Sequence, residues 1–304
     1  MSVEPLRRAR RPAVAAAVGL LAAVLAQAAG AAGATGLPGG PAAGPAALAD
    51  SARPPFVRPP VSRLRSRRAA LLDSVGTGTV ILPSARPRDL ESEYPQASDF
   101  RQDSDFLYLT GLETPDSWLV LVARPDGTRE ATLYVPAAEG RRARWTGSLP
   151  SPEELRARSG IEDVRSAADL EDAVRADSVG RLVGSGPLYL PRGPAGEGRE
   201  LVERLADRAA DSGPASEVRD VRPLLAGLRL VKDDFEIRML REAVSITGGG
   251  IRRALRRAEP GDWEYEIEAE VEYGFHRRGA PRLGFPSIVG SGPNSVVLHY
   301  DDSR

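Results

Sequence analysis

The sequence predicts an α/β unit over residues 63–226 followed by a helix-rich segment over residues 227–304. Three observations point there. Up to about residue 226, short apolar runs bounded by Gly, Pro and Asp alternate with stretches of helical spacing, the interleaving expected of strands and helices packed in layers. Beyond it the pattern changes to long amphipathic stretches with few turn residues. The composition, 41% apolar and 27% charged over 304 residues, is that of a globular chain able to build one large or two medium cores.

Two segments precede the fold. Residues 1–34 carry Arg7, Arg8, Arg10 and Arg11, then an uncharged alanine-rich run over 13–29, then small residues including Ala26-Gln27-Ala28 and Ala29-Gly30-Ala31. That is the build of a secretory signal peptide with an Ala-x-Ala type cleavage site, so export to the periplasm or the exterior is expected. An uncleaved anchor is the competing reading, but the run falls short of the ~20 apolar residues a span needs, and no membrane span is expected after cleavage. Residues 35–62 are Gly, Pro and Ala with little to bury, a linker that cannot offset its own ordering entropy.

In the α/β unit, residues 63–72 read as a basic helix with Leu64, Leu71 and Leu72 as its apolar contacts, and 77–82 as a buried strand stopped by Pro83. Apolar runs at 106–109 and 118–122 read as two more strands, and Pro125-Asp126-Gly127 as a turn into a strand over 131–135. Ser151 is placed to cap a helix over 152–158, with Glu153 and Glu154 in its first turn and Gly160 after its end. Helices follow at 169–175 and 200–210, with a strand at 188–190 between them. The chain leaves this unit over 218–230.

In the second segment, Asp233-Asp234-Phe235-Glu236 has the form of a capping box, and Ile237, Leu240, Val244 and Ile251 follow at helical spacing. Gly248-Gly249-Gly250 interrupts that helix at a cost of ~1 kcal/mol per glycine, so packing must hold it or it must bend. After Pro260-Gly261, Asp262 is expected to cap a second helix with Trp263, Ile267, Val271 and Phe275 on one stripe. Glu264, Glu266, Glu268, Glu270 and Glu272 lie off that stripe and read as a solvated face, because alternate residues of a helix point to different sides and cannot converge on a metal. His276, beside Arg277 and Arg278, suits the negative end of the helix dipole and needs no chemistry.

Charge and cysteine content exclude several classes of function. Forty-one basic against forty-two acidic residues leave a net charge of -1, without the basic footprint of a nucleic-acid binder. Lys232 is the single lysine. The absence of cysteine rules out a disulfide framework, a thiolate metal site and a cysteine nucleophile. That leaves residues 284–300 as the candidate site. Apolar runs at 287–289 and 295–298 flank Gly290-Ser291-Gly292-Pro293-Asn294 and read as two strands around a turn, with His299 closing the second. A histidine where a rigid element meets a loop is either a general base or an ordinary half-buried residue, and the pattern leaves both open.

Four stretches together resemble a known family: Phe100-Arg101-Gln102-Asp103-Ser104-Asp105-Phe106-Leu107-Tyr108-Leu109-Thr110-Gly111-Leu112, then Trp145-Thr146-Gly147, then Lys232-Asp233-Asp234-Phe235-Glu236-Ile237, and residues 285–300. In order and spacing they are similar to the Xaa-Pro aminopeptidase (aminopeptidase P) family of pita-bread metallopeptidases, close kin of prolidase. The resemblance implies an N-terminal α/β domain of creatinase/aminopeptidase P type over 63–226 and the first part of an α+β pita-bread catalytic domain over 227–304. It implies hydrolysis of the bond between an N-terminal residue and a following proline by two metal ions, usually manganese, that bridge an activated water. The family's ligands are two Asp, one His and two Glu, all after the Leu-His-Tyr motif. The chain ends four residues past Tyr300 and neither Asp301 nor Asp302 stands where the first ligand falls, so no metal site is expected within it.

By the same resemblance His299 is the catalytic and substrate-binding histidine beside the metals, and Asp105, Phe106 and Tyr108 belong to a motif whose side chains hold the N-terminal domain together. The implied partners are peptides with an Xaa-Pro N-terminus, with room for a homo-oligomer. Two alternatives stay open: a prolidase acting on dipeptides, and a pita-bread protein that binds peptides without metals or catalysis.

Mass spectrometry of the protein from its native cells should find a mature N-terminus within the alanine-rich region after residue 25. A chain still beginning at Met1 or Ser2 would replace cleavage by anchoring.

Overall fold

The computed structural model describes residues 57–86, 100–137, 149–175, 186–191, 202–207 and 217–304. The leader, most of the linker and Trp145-Thr146-Gly147 lie outside them. Two units divide the described chain, one spanning Arg58–Lys232 and one containing Asp233–Arg304. No helix among the described residues is long and apolar enough to cross a membrane.

The first unit is the expected α/β fold. Helix α1 (Val61–Val75) leads into strand β1 (Gly78–Pro83), helix α2 (Ser104–Thr110), strands β2 (Trp118–Ala123) and β3 (Arg129–Val135), helix α3 (Pro152–Ser159), strand β4 (Asp163–Ser166) and helix α4 (Ala167–Arg175). Strand β5 (Leu188–Leu190), helix α5 (202–207), strand β6 (Val218–Asp220) and helix α6 (Arg222–Leu230) complete it. The sheet runs β4-β3-β2-β1-β5-β6. Its centre is antiparallel, β1 with β2 and β2 with β3, while β4, β5 and β6 pair in parallel.

Every residue of β2 is buried, because the sheet is covered on both faces. Alternation sorts its side chains: Leu119 and Leu121 join Val80, Leu82, Phe106, Leu155 and Leu225 on one side, whereas Val120 and Val122 join Ile81, Leu170, Leu188 and Leu205 on the other. The two outermost strands, β4 and β6, are short and charged, which protects a sheet edge from pairing with other chains. Neither has an apolar run, and only the sheet itself reveals them.

Two elements differ from the expectation. Residues 106–109 are not a strand: they form most of α2, whose N-cap Asp103 accepts from the Asp105 and Phe106 amides and whose C-cap Gly111 is left-handed. Caps at both ends outweigh the β character of Phe-Leu-Tyr-Leu. Residues 218–230 do not leave the first unit either, since β6 extends the sheet and Leu225 of α6 is fully buried against its core. The contact division therefore falls between Lys232 and Asp233.

Arg68 ties three helices of this unit together. It is buried on α1, and its guanidinium donates to the Leu109 carbonyl at the end of α2 (2.7 Å) and to the Ser159 carbonyl at the end of α3 (3.0 Å). Burial, with Arg65 nearby, lowers its pKa to about 10, still charged at neutral pH. A cation on two helix C-termini meets carbonyls that no intrahelical donor satisfies.

The second unit holds helix α7 (Asp234–Arg257) and helix α8 (Glu264–Arg277), followed by an irregular segment with one 3-10 turn at Gly292–Val296. The expected capping box is present: Asp233 accepts from the Glu236 amide and Glu236 accepts from the Asp233 amide, each at 2.9 Å. Asp262 does not cap α8. Its carboxylate accepts from the Glu259 amide in the connecting turn, and Glu266 reaches back to the Trp263 amide instead.

The triple glycine runs straight through α7, because there the two helices touch backbone to backbone. A Cβ on Gly274 would lie 2.7 Å from the Gly250 Cα, and one on Gly250 would lie 2.5 Å from the Phe275 ring and 2.8 Å from the Val271 carbonyl. The glycines' helix-propensity cost of ~1 kcal/mol each is the condition for that approach. The salt bridge from Arg253 to Glu270 (2.6 Å) adds little beside it, since a half-exposed pair is worth ~1 kcal/mol at most.

Gly250→Ala should therefore destabilise this unit by ~1 to 3 kcal/mol, overpacking outweighing the propensity gain. Gly248→Ala meets only the flexible end of Arg252 at 3.3 Å and should be neutral or stabilising by up to ~1 kcal/mol. Urea melts should show a lower midpoint for Gly250→Ala and an unchanged or higher one for Gly248→Ala.

Candidate functional site

The expected strands at 287–289 and 295–298 do not form: the segment is irregular except for the 3-10 turn. An apolar run needs a partner strand to become a strand itself, and none is present among the described residues. His299 accordingly does not close a strand. It is exposed, with φ +57°, in the left-handed region that a non-glycine residue enters only when its neighbours hold it there.

One carboxylate holds those neighbours. Glu264, the first residue of α8, is buried rather than part of a solvated acidic face. Its Oε1 accepts from the Ser291 amide (2.6 Å), the Ser291 hydroxyl (2.9 Å) and the Asn294 side-chain amide (3.1 Å). Its Oε2 accepts from the Tyr300 hydroxyl (2.6 Å) and the Arg304 amide (2.9 Å). The Glu264 amide in turn donates to the Arg304 carbonyl at 2.7 Å. Asn294 uses its other side-chain hydrogen on the Tyr300 oxygen at 3.0 Å, closing the ring of contacts.

Burial pushes the Glu264 carboxyl upward, but the Tyr300 hydroxyl, the Arg304 and Ser291 amides and the Asn294 side chain outweigh it and hold the pKa down at about 2. The Glu264 carboxylate beside Tyr300 raises the phenol to about 12, so it remains a donor at neutral pH. Sequence reasoning missed Glu264 because four neighbouring glutamates share its spacing. The one available signal was its position at the first turn of a helix, where a carboxylate meets free amides and the positive end of the dipole.

The other expected residues are structural. Gln102 is buried with its side chain fully used: Oε1 accepts from the Ala85 and Asp103 amides, and Nε2 donates to the Leu112 and Thr114 carbonyls. Phe106 is in the core, Asp105 pairs with Arg229, and the Tyr108 hydroxyl donates to the Leu228 carbonyl while Arg67 stacks 4.0 Å over its ring. This motif fastens α6 and α1 to α2. His276 Nδ1 donates to the Ala280 carbonyl (2.9 Å) and closes the end of α8.

Among the described residues no three His, Cys, Asp or Glu side chains come together to hold a metal. The Glu264 oxygens are already taken by five donors and no cluster of ligands surrounds His299 among the described residues, a donor set that does not fit a divalent ion. No chemical step through a metal can be derived from these residues. What they offer is an exposed imidazole, able to exchange a proton or a hydrogen bond, on a segment fastened at both ends.

Because the Glu264 pKa is depressed, its stabilisation should be fully present above the ordinary carboxyl value of ~4.3 and fade as pH falls toward 2. The difference in urea stability between the native chain and Glu264→Ala should be flat from pH 8 to about 5 and shrink below it.

Comparison with known proteins joins the two units. The model of the aminopeptidase P N-terminal domain matches residues 64–181, and that of metallopeptidase family M24 matches residues 238–304. The Xaa-Pro aminopeptidase of Escherichia coli K12 is 30% identical over 247 residues, 78% of this chain and 54% of that protein. That of Haemophilus influenzae is 28% identical over 218 residues, 71% of this chain and 47% of that protein. Among solved structures, zinc-substituted E. coli aminopeptidase P in complex with product has a TM-score of 0.71 at 25% identity, covering 81% of this chain and 56% of that one. Proline aminopeptidase P II from Yersinia pestis has a TM-score of 0.69 at 28% identity, covering 80% and 56%. The chain spans about half the length of the curated relatives it matches. On both its domains, the chain belongs to the M24 metallopeptidase family, in its aminopeptidase P branch.

Proposed function

We propose that this chain is part of a metal-dependent aminopeptidase that releases the N-terminal residue from peptides with proline second. The observation that carries the reading is His299, exposed in a left-handed turn between anchored neighbours, in a chain whose two domains match aminopeptidase P and M24 in that order. A histidine in such a place can hydrogen-bond the scissile carbonyl or move a proton at the leaving nitrogen, and it need not ligate anything to do so. The M24 family implies a divalent metal, which would polarise the carbonyl and acidify water. We propose manganese as that metal, with export through the arginine-rich leader as the route to the periplasm or exterior.

In the intact protein, His299→Ala should lower kcat on an Xaa-Pro peptide by ~10²-fold or more, leaving metal content and melting temperature unchanged. Near-wild-type turnover would return His299 to a structural role, and lost metal would make it a ligand or a ligand's support. Assaying a tripeptide against a dipeptide in the same experiment separates the aminopeptidase from a prolidase, which would turn over only the dipeptide.

A further inference from the structure

His299 occupies an unfavourable backbone conformation and has no hydrogen bond to another described residue through its own ring. Something else must set its direction. A non-glycine residue at φ +57° sits in a sparsely populated backbone region, so the turn persists only while the residues beside it are restrained. Two restraints lie close by. Before it, the 3-10 turn is pinned where Ser291 and Asn294 meet Glu264 Oε1. After it, Tyr300 is the immediate neighbour, and its hydroxyl meets Glu264 Oε2 at 2.6 Å.

Between those anchors, Val296, Val297, Leu298 and His299 are all exposed, so packing inside this unit does not hold them. We propose that Glu264 is a positioning residue for His299: the two oxygens of one carboxylate fasten the two ends of the histidine's turn and thereby aim the imidazole, without touching substrate. This rests on the aminopeptidase reading for what His299 does, and adds what makes it competent. Loss of the carboxylate charge would set a Gln amide against donors at Tyr300 and Arg304, releasing the far anchor. The turn would then relax out of the left-handed region. Misplacing a catalytic group by about 1 Å costs ~10²-fold in rate, so the loss should approach that of removing the histidine.

The test uses the intact protein, with Glu264→Gln, His299→Ala, the double variant, and Tyr300→Phe as a milder release of the far anchor alone. Glu264→Gln should lower kcat by ~10²-fold with a much smaller change in KM, and the double variant should be no slower than His299→Ala, because the two residues act as one unit. Tyr300→Phe should lie between the native protein and Glu264→Gln and be equally non-additive with His299→Ala. Hydrogen exchange gives a readout independent of turnover: the Arg304 amide should lose protection in Glu264→Gln, while the Ser291 amide and amides in the middle of α8 keep theirs. Normal kcat in Glu264→Gln, losses that multiply in the double variant, or retained protection at the Arg304 amide would overturn the proposal with the aminopeptidase reading intact. A His299→Ala protein as active as the native one would overturn the proposal by removing the role that Glu264 is to support, whereas a native protein that does not turn over an Xaa-Pro peptide would overturn the aminopeptidase reading itself.

Discussion

Everything near the candidate site depends on a negative charge taken out of water at the start of α8. A buried carboxylate is costly unless its lone pairs are filled, and Glu264 fills them with five donors from residues 291, 294, 300 and 304. The price of desolvation thus dictates the path of the chain: residues far apart in sequence must return to one point. A helix start is a favourable location for this, because its free amides and dipole already prefer an anion. The irregular segment needs no strand or core of its own to have a defined course.

The helix pair beneath it obeys a different constraint. Gly250 and Gly274 let two backbones meet, and this contact sets where the start of α8 lies relative to α7. Large apolar side chains such as Leu240, Val244 and Phe285 remain exposed around it. The first unit has the opposite character. Its sheet is buried on both faces, and the buried Arg68 satisfies carbonyls at two helix ends. There the polar group serves the packing; in the second unit, packing serves the polar group.

This contrast bears on function. Rigid scaffolding around a mobile or exposed catalytic group is common because geometry must be held while substrate is admitted. On the role proposed for His299, anchoring its turn at both ends through one side chain would achieve this with little buried area. It also concentrates risk, since a single substitution releases both anchors.

Local chemistry made much of the fold legible in the sequence. The capping boxes at Ser151 and Asp233, the unbroken apolar run of β2 and the Pro125-Asp126-Gly127 turn each depend on residues a few positions apart, and each formed as its residues require. The family could be recognised from residues 100–112 and 285–300 for the same reason: their order along the chain is itself the signal. What the sequence could not decide was anything whose cause lies across the chain. Phe106 to Leu109 looked like a strand until caps at Asp103 and Gly111 made a helix that docks on α1. Residues 287–289 and 295–298 looked like strands, but a strand requires a partner's backbone, and none is present among the described residues. The triple glycine looked like a weakness in α7 until Gly274 arrived against it. Among five glutamates of like spacing, only tertiary structure singled out Glu264, because burial and five converging donors are properties of where a side chain ends up and not of its neighbours in sequence.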